Sequence, residues 1–452
     1  MRNKTNILIF IVWFAITLFA IFNHEIWRDE AQVWCLVRDL NLFELFQTTR
    51  VEGHPMLWYL LVLPFAKLGL PVESMQAISF SLVAVSVLFL VFKSPFSTLQ
   101  KSLISFSAGM TYFLPAIARN YALIPILIFL LAYIYPDRNE KPWKYSLLLI
   151  LLSQTHVLML AFCGMLFLMF AFEKIKEKRY FFHLFLLFAN FVFLFFSFYK
   201  STSENIALVG YQDLERTLGE LIFGFSYNFF GPYFANSMQF SCIIFYGALA
   251  SISYFFFKND KKIFLIFLSS FLYMFYIFTD VWFSGSPYQK LFILILILIF
   301  CMWVFEKKNI KWLKISFNTL LAISVMYSFP AIYNEYKYSF SGSKQLVNYI
   351  KENLNDEKEF IVVGYPHVIS PVSAYLPEKK FYSQKEQRYI TYFHFESQVG
   401  NKTQEPKDIR YYIVQEKSFL FKEFGYNLIY QTDDFIIGPR VEAEVYKIYE
   451  KI

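Results

Sequence analysis

The sequence predicts a polytopic α-helical membrane protein that ends in a small extracytoplasmic α/β domain. Three observations carry that prediction. Of 452 residues, 57% are hydrophobic and 17% charged, whereas soluble domains run at about 45–50% apolar and about 25% charged. Apolar runs of membrane length recur through the first 332 residues, separated by short basic loops. Beyond them the apolar character stops: residues 333–452 hold 16 basic and 17 acidic side chains. The same composition excludes a disordered chain, a collagen-like fibre and a disulfide-stapled secreted module. The net charge of +7 lies in the apolar part, where basic residues mark cytoplasmic loops. No basic stripe with interleaved aromatics is present, so no nucleic-acid partner is expected.

Arg2 and Lys4 precede the apolar run 7–22, and Ile21-Phe22-Asn23-His24-Glu25 offers no small-residue cleavage site. That run is therefore expected to stay as a first span. Further runs lie near 74–92, 102–117, 121–135, 144–157, 159–172, 181–199, 240–257, 263–282, 289–305 and 312–331, which makes about 11 transmembrane helices. The stretch Met56–Leu70 is short and contains Pro64 and Lys67. If it does not cross and the N-terminus is cytoplasmic, the cytoplasmic side gathers 18 basic residues against eight outside, the tail excepted. A crossing there would reverse that bias, so Met56–Leu70 reads as an interfacial or re-entrant helix. Residues 1–332 then form the membrane domain and 333–452 the outer domain. In the latter, Phe360–Gly364, Tyr411–Val414 and Val445–Tyr449 read as strands and Ser343–Leu354 as an amphipathic helix.

Cys163, Cys242 and Cys301 lie inside apolar runs and read as small core hydrophobes. With no CxxC or Cys/His ligand spacing, no zinc site is expected, and no cofactor is expected either. The informative residues are the scarce polar ones. The first outer loop carries Trp27-Arg28-Asp29-Glu30 and then Glu52-Gly53-His54-Pro55. Two adjacent carboxylates near a lipid boundary are costly unless paired or functional, and each raises the other's proton affinity, which suits a general base. The alternative is a solvated loop in which Arg28 compensates one acid. Arg119 and Tyr121 stand at the outer end of two spans, where the guanidinium would bind a phosphate or snorkel to the surface. His156 ends the fifth span, and Lys290 begins the tenth as phosphate ligand or anchor. Asp280 lies nearby and pairs, on this reading, with Lys290 or Arg119. Under the topology set by loop charge, all these residues fall at one face, where they suggest a cleft for an anionic lipid headgroup and a hydroxylic substrate.

The stretches Trp27-Arg28-Asp29-Glu30-Ala31-Gln32 and Glu52-Gly53-His54-Pro55-Met56-Leu57-Trp58-Tyr59, with Arg119-Asn120-Tyr121 beyond them, resemble the GT-C superfamily of glycosyltransferases. Its members that use polyprenyl-phosphate sugars include the protein O-mannosyltransferases and the lipid A aminoarabinose transferases. The specific motif covers about 35 residues, while the topology matches across 1–332. The resemblance implies a multi-pass plasma-membrane enzyme of the cell envelope whose active site and C-terminal domain are extracytoplasmic. Its donor would be a polyprenyl-phosphate-linked sugar, its acceptor a hydroxyl on a lipid, glycan or protein, and transfer would invert the anomeric centre. Carried over by position, Asp29 would be the catalytic base and Glu30 would position it or bind the donor sugar. Arg119 and Lys290 would hold the phosphate, while Glu52, His54, Tyr121 and His156 would line the substrate site. Tyr288-Gln289-Lys290 departs from the basic pair common in related enzymes, and the C-terminal domain matches no named module. The competing readings are a lipid or polysaccharide flippase or transporter, and a non-catalytic surface-assembly protein. A transporter would show internal repeats and broken midplane helices; no repeat is present, and the acidic and basic residues cluster at the outer boundary rather than mid-span. The predicted topology places single cysteines at positions 29 and 119 within reach of the same membrane-impermeant thiol reagent from outside; labelling from opposite sides would refute it.

Overall fold

The computed structural model describes residues 2–52, 54–198, 238–278, 288–305, 310–364, 369–394, 402–406, 408–415, 425–433 and 444–452. Asp280 and most of the loop near 200–238 lie outside the described residues. In chain order the helices are α1 (Arg2–Asn23), α2 (Arg28–Asp39), α3 (Leu42–Glu52), α4 (Leu57–Lys67), α5 (Ser74–Lys93), α6 (Thr98–Ser105), α7 (Leu123–Ile134) and α8 (Pro142–Ser153). They continue as α9 (Leu160–Lys174), α10 (Phe181–Phe198), α11 (Met238–Asn259), α12 (Lys261–Tyr276), α13 (Tyr288–Val304), α14 (Lys311–Lys337), α15 (Ser343–Asn353) and α16 (Ile369–Tyr375). Six helical segments among the described residues are long and apolar enough to cross a membrane: Asn3–Asn23, Ser74–Lys93, Asn120–Asp137, Val157–Lys174, Lys178–Phe198 and Lys311–Lys337. Leu57–Lys67 is apolar but shorter, too short to span the ~30 Å hydrocarbon layer. The run 102–117 is not one helix. It breaks after α6, passes through a π-type turn at Gly109–Phe113 and ends irregularly around Pro115, because proline lacks the N–H the ladder needs.

The chain forms two compact units, one of Met1–Ile21, Thr49–Trp58 and Ser79–Ile332, the other of Phe22–Thr48, Tyr59–Ile78 and Tyr333–Ile452. In the first, α13 is the axis of packing: every residue from Leu291 to Met302 is at most 2% exposed. A helix apolar all round must be surrounded by other helices, and aromatic rings surround this one. Trp303 meets Phe89, Phe96 and Phe129, while Phe300 meets Tyr135 and Phe162. The outer helices instead expose Ile7, Leu8, Phe172, Phe185 and Phe188, apolar side chains that a hydrocarbon solvent accommodates at no cost. At one end of α9, Glu173 accepts from Arg138 (3.2 Å) and Lys262 (2.6 Å). These three residues flank loops that the charge bias assigns to one common side.

The second unit contains a six-stranded sheet, β1 (Glu359–Val363), β2 (Lys380–Ser383), β3 (Arg388–Ile390), β4 (Tyr411–Gln415), β5 (Tyr426–Gln431) and β6 (Tyr446–Lys451), in the order β3-β2-β1-β4-β6-β5. β1 pairs in parallel with β2 and β4, and the remaining pairs are antiparallel. The β1–β2 crossover is α16, as parallel neighbours require. Period-two alternation divides the strands: Phe360, Val362, Phe381, Ile413 and Ile448 pack under α15 and α16, while Ile361, Tyr412 and Val414 form a smaller cluster on the opposite face. Helix α2 packs on α16 within this unit.

One close approach fixes the first unit. A Cβ on Gly109 would lie 2.1 Å from the ring of Phe292, and Phe292 is fully buried in α13. Gly109→Ala is therefore expected to cost about 1–3 kcal/mol by overpacking, read as a lower thermal-unfolding midpoint in detergent. A wild-type midpoint would show that the π-type turn yields freely.

Candidate functional site

The predicted site residues fall into two groups, one in each unit, and each group has its own geometry. In the first unit, His54, Arg119, Tyr121, His156 and Lys290 come together. The His156 ring lies 4.8 Å from that of Tyr121 and 5.7 Å from that of His54, centroid to centroid. The Arg119 guanidinium sits 5.5 Å from the Tyr121 ring centre, and the charges of Arg119 and Lys290 act on His156. His156, Tyr121 and Lys290 are buried. Glu52 belongs to the same unit, at the end of α3 and two residues before His54.

Backbone hydrogen bonds lock this group. Asn120 Nδ2 donates to the Thr155 carbonyl (2.8 Å), and the Tyr273 hydroxyl donates to that of Val157 (3.3 Å). The Leu158 N–H donates to His156 Nδ1 (3.0 Å). A backbone N–H can only donate, so Nδ1 carries no proton and the imidazole is the neutral tautomer with its hydrogen on Nε2. That Nε2–H is buried and has no hydrogen-bond partner among the described residues. Leaving such a donor unmet costs about 1–3 kcal/mol.

The placement of these side chains is as telling as their chemistry. Arg119 precedes the 3₁₀ turn that leads into α7, His156 caps the turn that leads into α9, and Lys290 is the third residue of α13. Three helix N-termini thus meet, each carrying partial positive charge. Cations are normally favoured at the opposite end of a helix. Here two cations and an N–H donor are stacked onto three positive dipole ends, an arrangement that an anion would satisfy.

In the second unit, Asp29 and Glu30 occupy the first turn of α2, and their environments diverge. Glu30 is fully buried. Its Oε2 accepts from the Trp27 N–H (3.2 Å) and from His24 Nε2 (3.0 Å). On the other side of the ring, His24 Nδ1 meets Oε1 of buried Glu335 at 2.9 Å. Burial alone would lower the proton affinity of His24, but the attraction and hydrogen bonds of Glu335 and Glu30 outweigh it and raise the imidazole to about 10. Glu25 is pushed up to about 7, chiefly by burial against the pull of Lys344. Asp29, by contrast, has a side chain 37% exposed, with Arg28 Nε at 3.9 Å. Among the described residues no three His, Cys, Asp or Glu side chains are arranged to hold a metal; the two carboxylates around His24 sit on opposite ring nitrogens and do not converge.

Sequence reasoning missed His24, Glu335 and Glu444. Glu444 accepts from the Arg28 N–H (3.2 Å) and the Ser341 hydroxyl (2.6 Å), and burial raises its carboxyl to about 7. The available signal was an acid, Glu335, at the end of the last apolar run. No protein-family model matches the chain, and no characterised protein is significantly similar to it in sequence.

His24 gives a signed pH dependence. Its affinity is raised above the ordinary 6.5, so its contribution to stability is complete below about pH 6.5 and is lost as pH rises through about 10. His24→Asn strands two buried carboxylates and is expected to cost about 3–5 kcal/mol at neutral pH. The gap to wild type should close above pH 10 in thermal-unfolding series; a gap independent of pH would disprove the charged imidazole.

Proposed function

We propose that this chain is a membrane glycosyltransferase of the GT-C type, with about 11 transmembrane helices. On this reading it moves a sugar from a polyprenyl-phosphate donor to a hydroxyl acceptor, with inversion, at the extracytoplasmic face of the plasma membrane. The observation that carries the proposal is the meeting of three helix N-termini headed by Arg119, His156 and Lys290. A lipid-linked phosphate is an anion delivered at the level where apolar helices end, and this group has the charge and donors to receive it.

The residue roles in this proposal are those that the sequence resemblance assigns. Asp29 takes the proton of the acceptor hydroxyl as its oxygen attacks the anomeric carbon. The bond from that carbon to the phosphate oxygen breaks, and the electron pair leaves with the polyprenyl phosphate. Arg119 and Lys290 stabilise the charge that grows on the leaving phosphate, and the His156 Nε2–H adds a neutral donor. A phosphate leaves without help from a strong acid, so one base suffices. Of the two adjacent acids, Asp29 fits that role because Glu30 is committed to His24 and to the Trp27 N–H.

Asp29→Asn is expected to lower transfer from a labelled polyprenyl-phosphate sugar by about 10²-fold or more while donor binding persists. Arg119→Ala and Lys290→Ala should each weaken donor binding by about tenfold or more, in line with ~1.5–3 kcal/mol for a charged hydrogen bond. Full transfer by the Asp29 variant would remove the base from the mechanism. Unchanged donor binding in both cation variants would remove the phosphate site.

A further inference from the structure

The first turn of α2 is held more firmly than helix packing requires. Within the second unit, Glu30 bonds to His24 and to the Trp27 N–H, and the Arg28 N–H bonds to Glu444. The Ser343 hydroxyl donates to the Ile26 carbonyl at 3.1 Å. Three residues further on, Gln32 accepts from the Ser370 hydroxyl (2.8 Å) and the Phe393 N–H (2.9 Å), and donates to the Phe393 carbonyl (2.8 Å). His24, Ile26, Arg28 and Gln32 are thus each bonded to a group from residues 335–444, and the stretch they hold is the one that carries Asp29.

The strongest of these restraints is ionic. His24 faces Glu30 from α2 and Glu335 from the last turn of α14, with the Phe340 ring edge-on at 4.6 Å and the Gln76 amide bonded to its carbonyl. Glu25 follows it in the chain and is itself faced by Lys344 from α15. One imidazolium between two carboxylates leaves a net negative charge buried one residue from Asp29.

We propose that His24 and Glu335 are positioning residues for the transfer reaction: they hold Glu30, and through the first turn of α2 they set the direction and electrostatic surroundings of the Asp29 carboxylate. The inference rests on the reading of Asp29 as the base. It gives the C-terminal segment a part in the chemistry through Glu335, 311 residues from His24, without contact with substrate.

Glu335→Gln tests it on the full-length chain in proteoliposomes, because glutamine keeps an acceptor for His24 and removes only the charge. The expected result is a kcat lowered at least tenfold, with donor binding within twofold of wild type. The alkaline limb of the pH–rate profile should also move at least one unit lower, since His24 loses its proton sooner with one carboxylate gone. Glu335→Asp should restore part of the rate. Wild-type kcat and an unmoved limb, alongside an inactive Asp29→Asn, would overturn the positioning role and leave the base in place. A kcat loss matched by equal losses of donor binding and folded protein would also overturn it, as a purely structural role predicts. Full activity in Asp29→Asn would overturn the base and the positioning role together.

Discussion

The second unit depends on a buried imidazole held between two buried carboxylates. Taking three ionised groups out of water costs several kcal/mol for each ion, and only close hydrogen-bonded geometry offsets that. The distances of 2.9 and 3.0 Å to opposite ring nitrogens meet the requirement. Such a trio is a poor source of net stability but a demanding constraint on geometry: displacing any member strands a charge. It therefore ties the residue after α1, the first turn of α2 and the last turn of α14 into one arrangement. α14 has 27 residues, about 40 Å at 1.5 Å per residue, so it exceeds the hydrocarbon thickness and its last turns are available for such a tie.

That constraint gives two adjacent acids different fates. Neighbouring residues on a helix point about 100° apart, so one can face inward while the next faces out. Glu30 faces His24 and caps the start of its own helix, while Asp29 keeps a third of its side chain exposed. The pair therefore does not act as a carboxylate dyad sharing one proton. His156 in the first unit is fixed by a comparable device: a single backbone N–H at Nδ1 dictates which nitrogen carries the hydrogen. In both units the protonation of a histidine is set by groups that the fold supplies.

Much of this was legible in the sequence. Apolar runs located the six membrane-length helices found among the described residues, and period-two patterns located β1, β4 and β6 to within two residues. Loop charge placed Arg119, His156 and Lys290 at helix ends on one expected face, but their meeting is a result of helix packing that loop charge does not give. The break in 102–117 was only half legible: Pro115 stands in the sequence, whereas the packing of Gly109 against Phe292, 183 residues away in the chain, does not show there. His24 escaped notice for the same reason: its partners lie 6 and 311 residues away. The sequence reading had Glu30 position Asp29 or bind the donor sugar; the buried bonds to His24 and the Trp27 N–H were not visible from adjacency.

The cations at the helix starts bear on what kind of ligand suits the first unit. Lys290 is 2% exposed and is followed by twelve residues that are all buried and apolar, so its charge acts through a medium of low dielectric, where Coulomb forces are several times stronger than in water. Placed at the positive end of α13, it raises the local potential further. On the proposed reading, a phosphate gains more from that potential than a zwitterion or a neutral sugar would. The neutral His156 would suit the proposed phosphate for a different reason: it offers a hydrogen-bond donor without adding a third charge to the two cations.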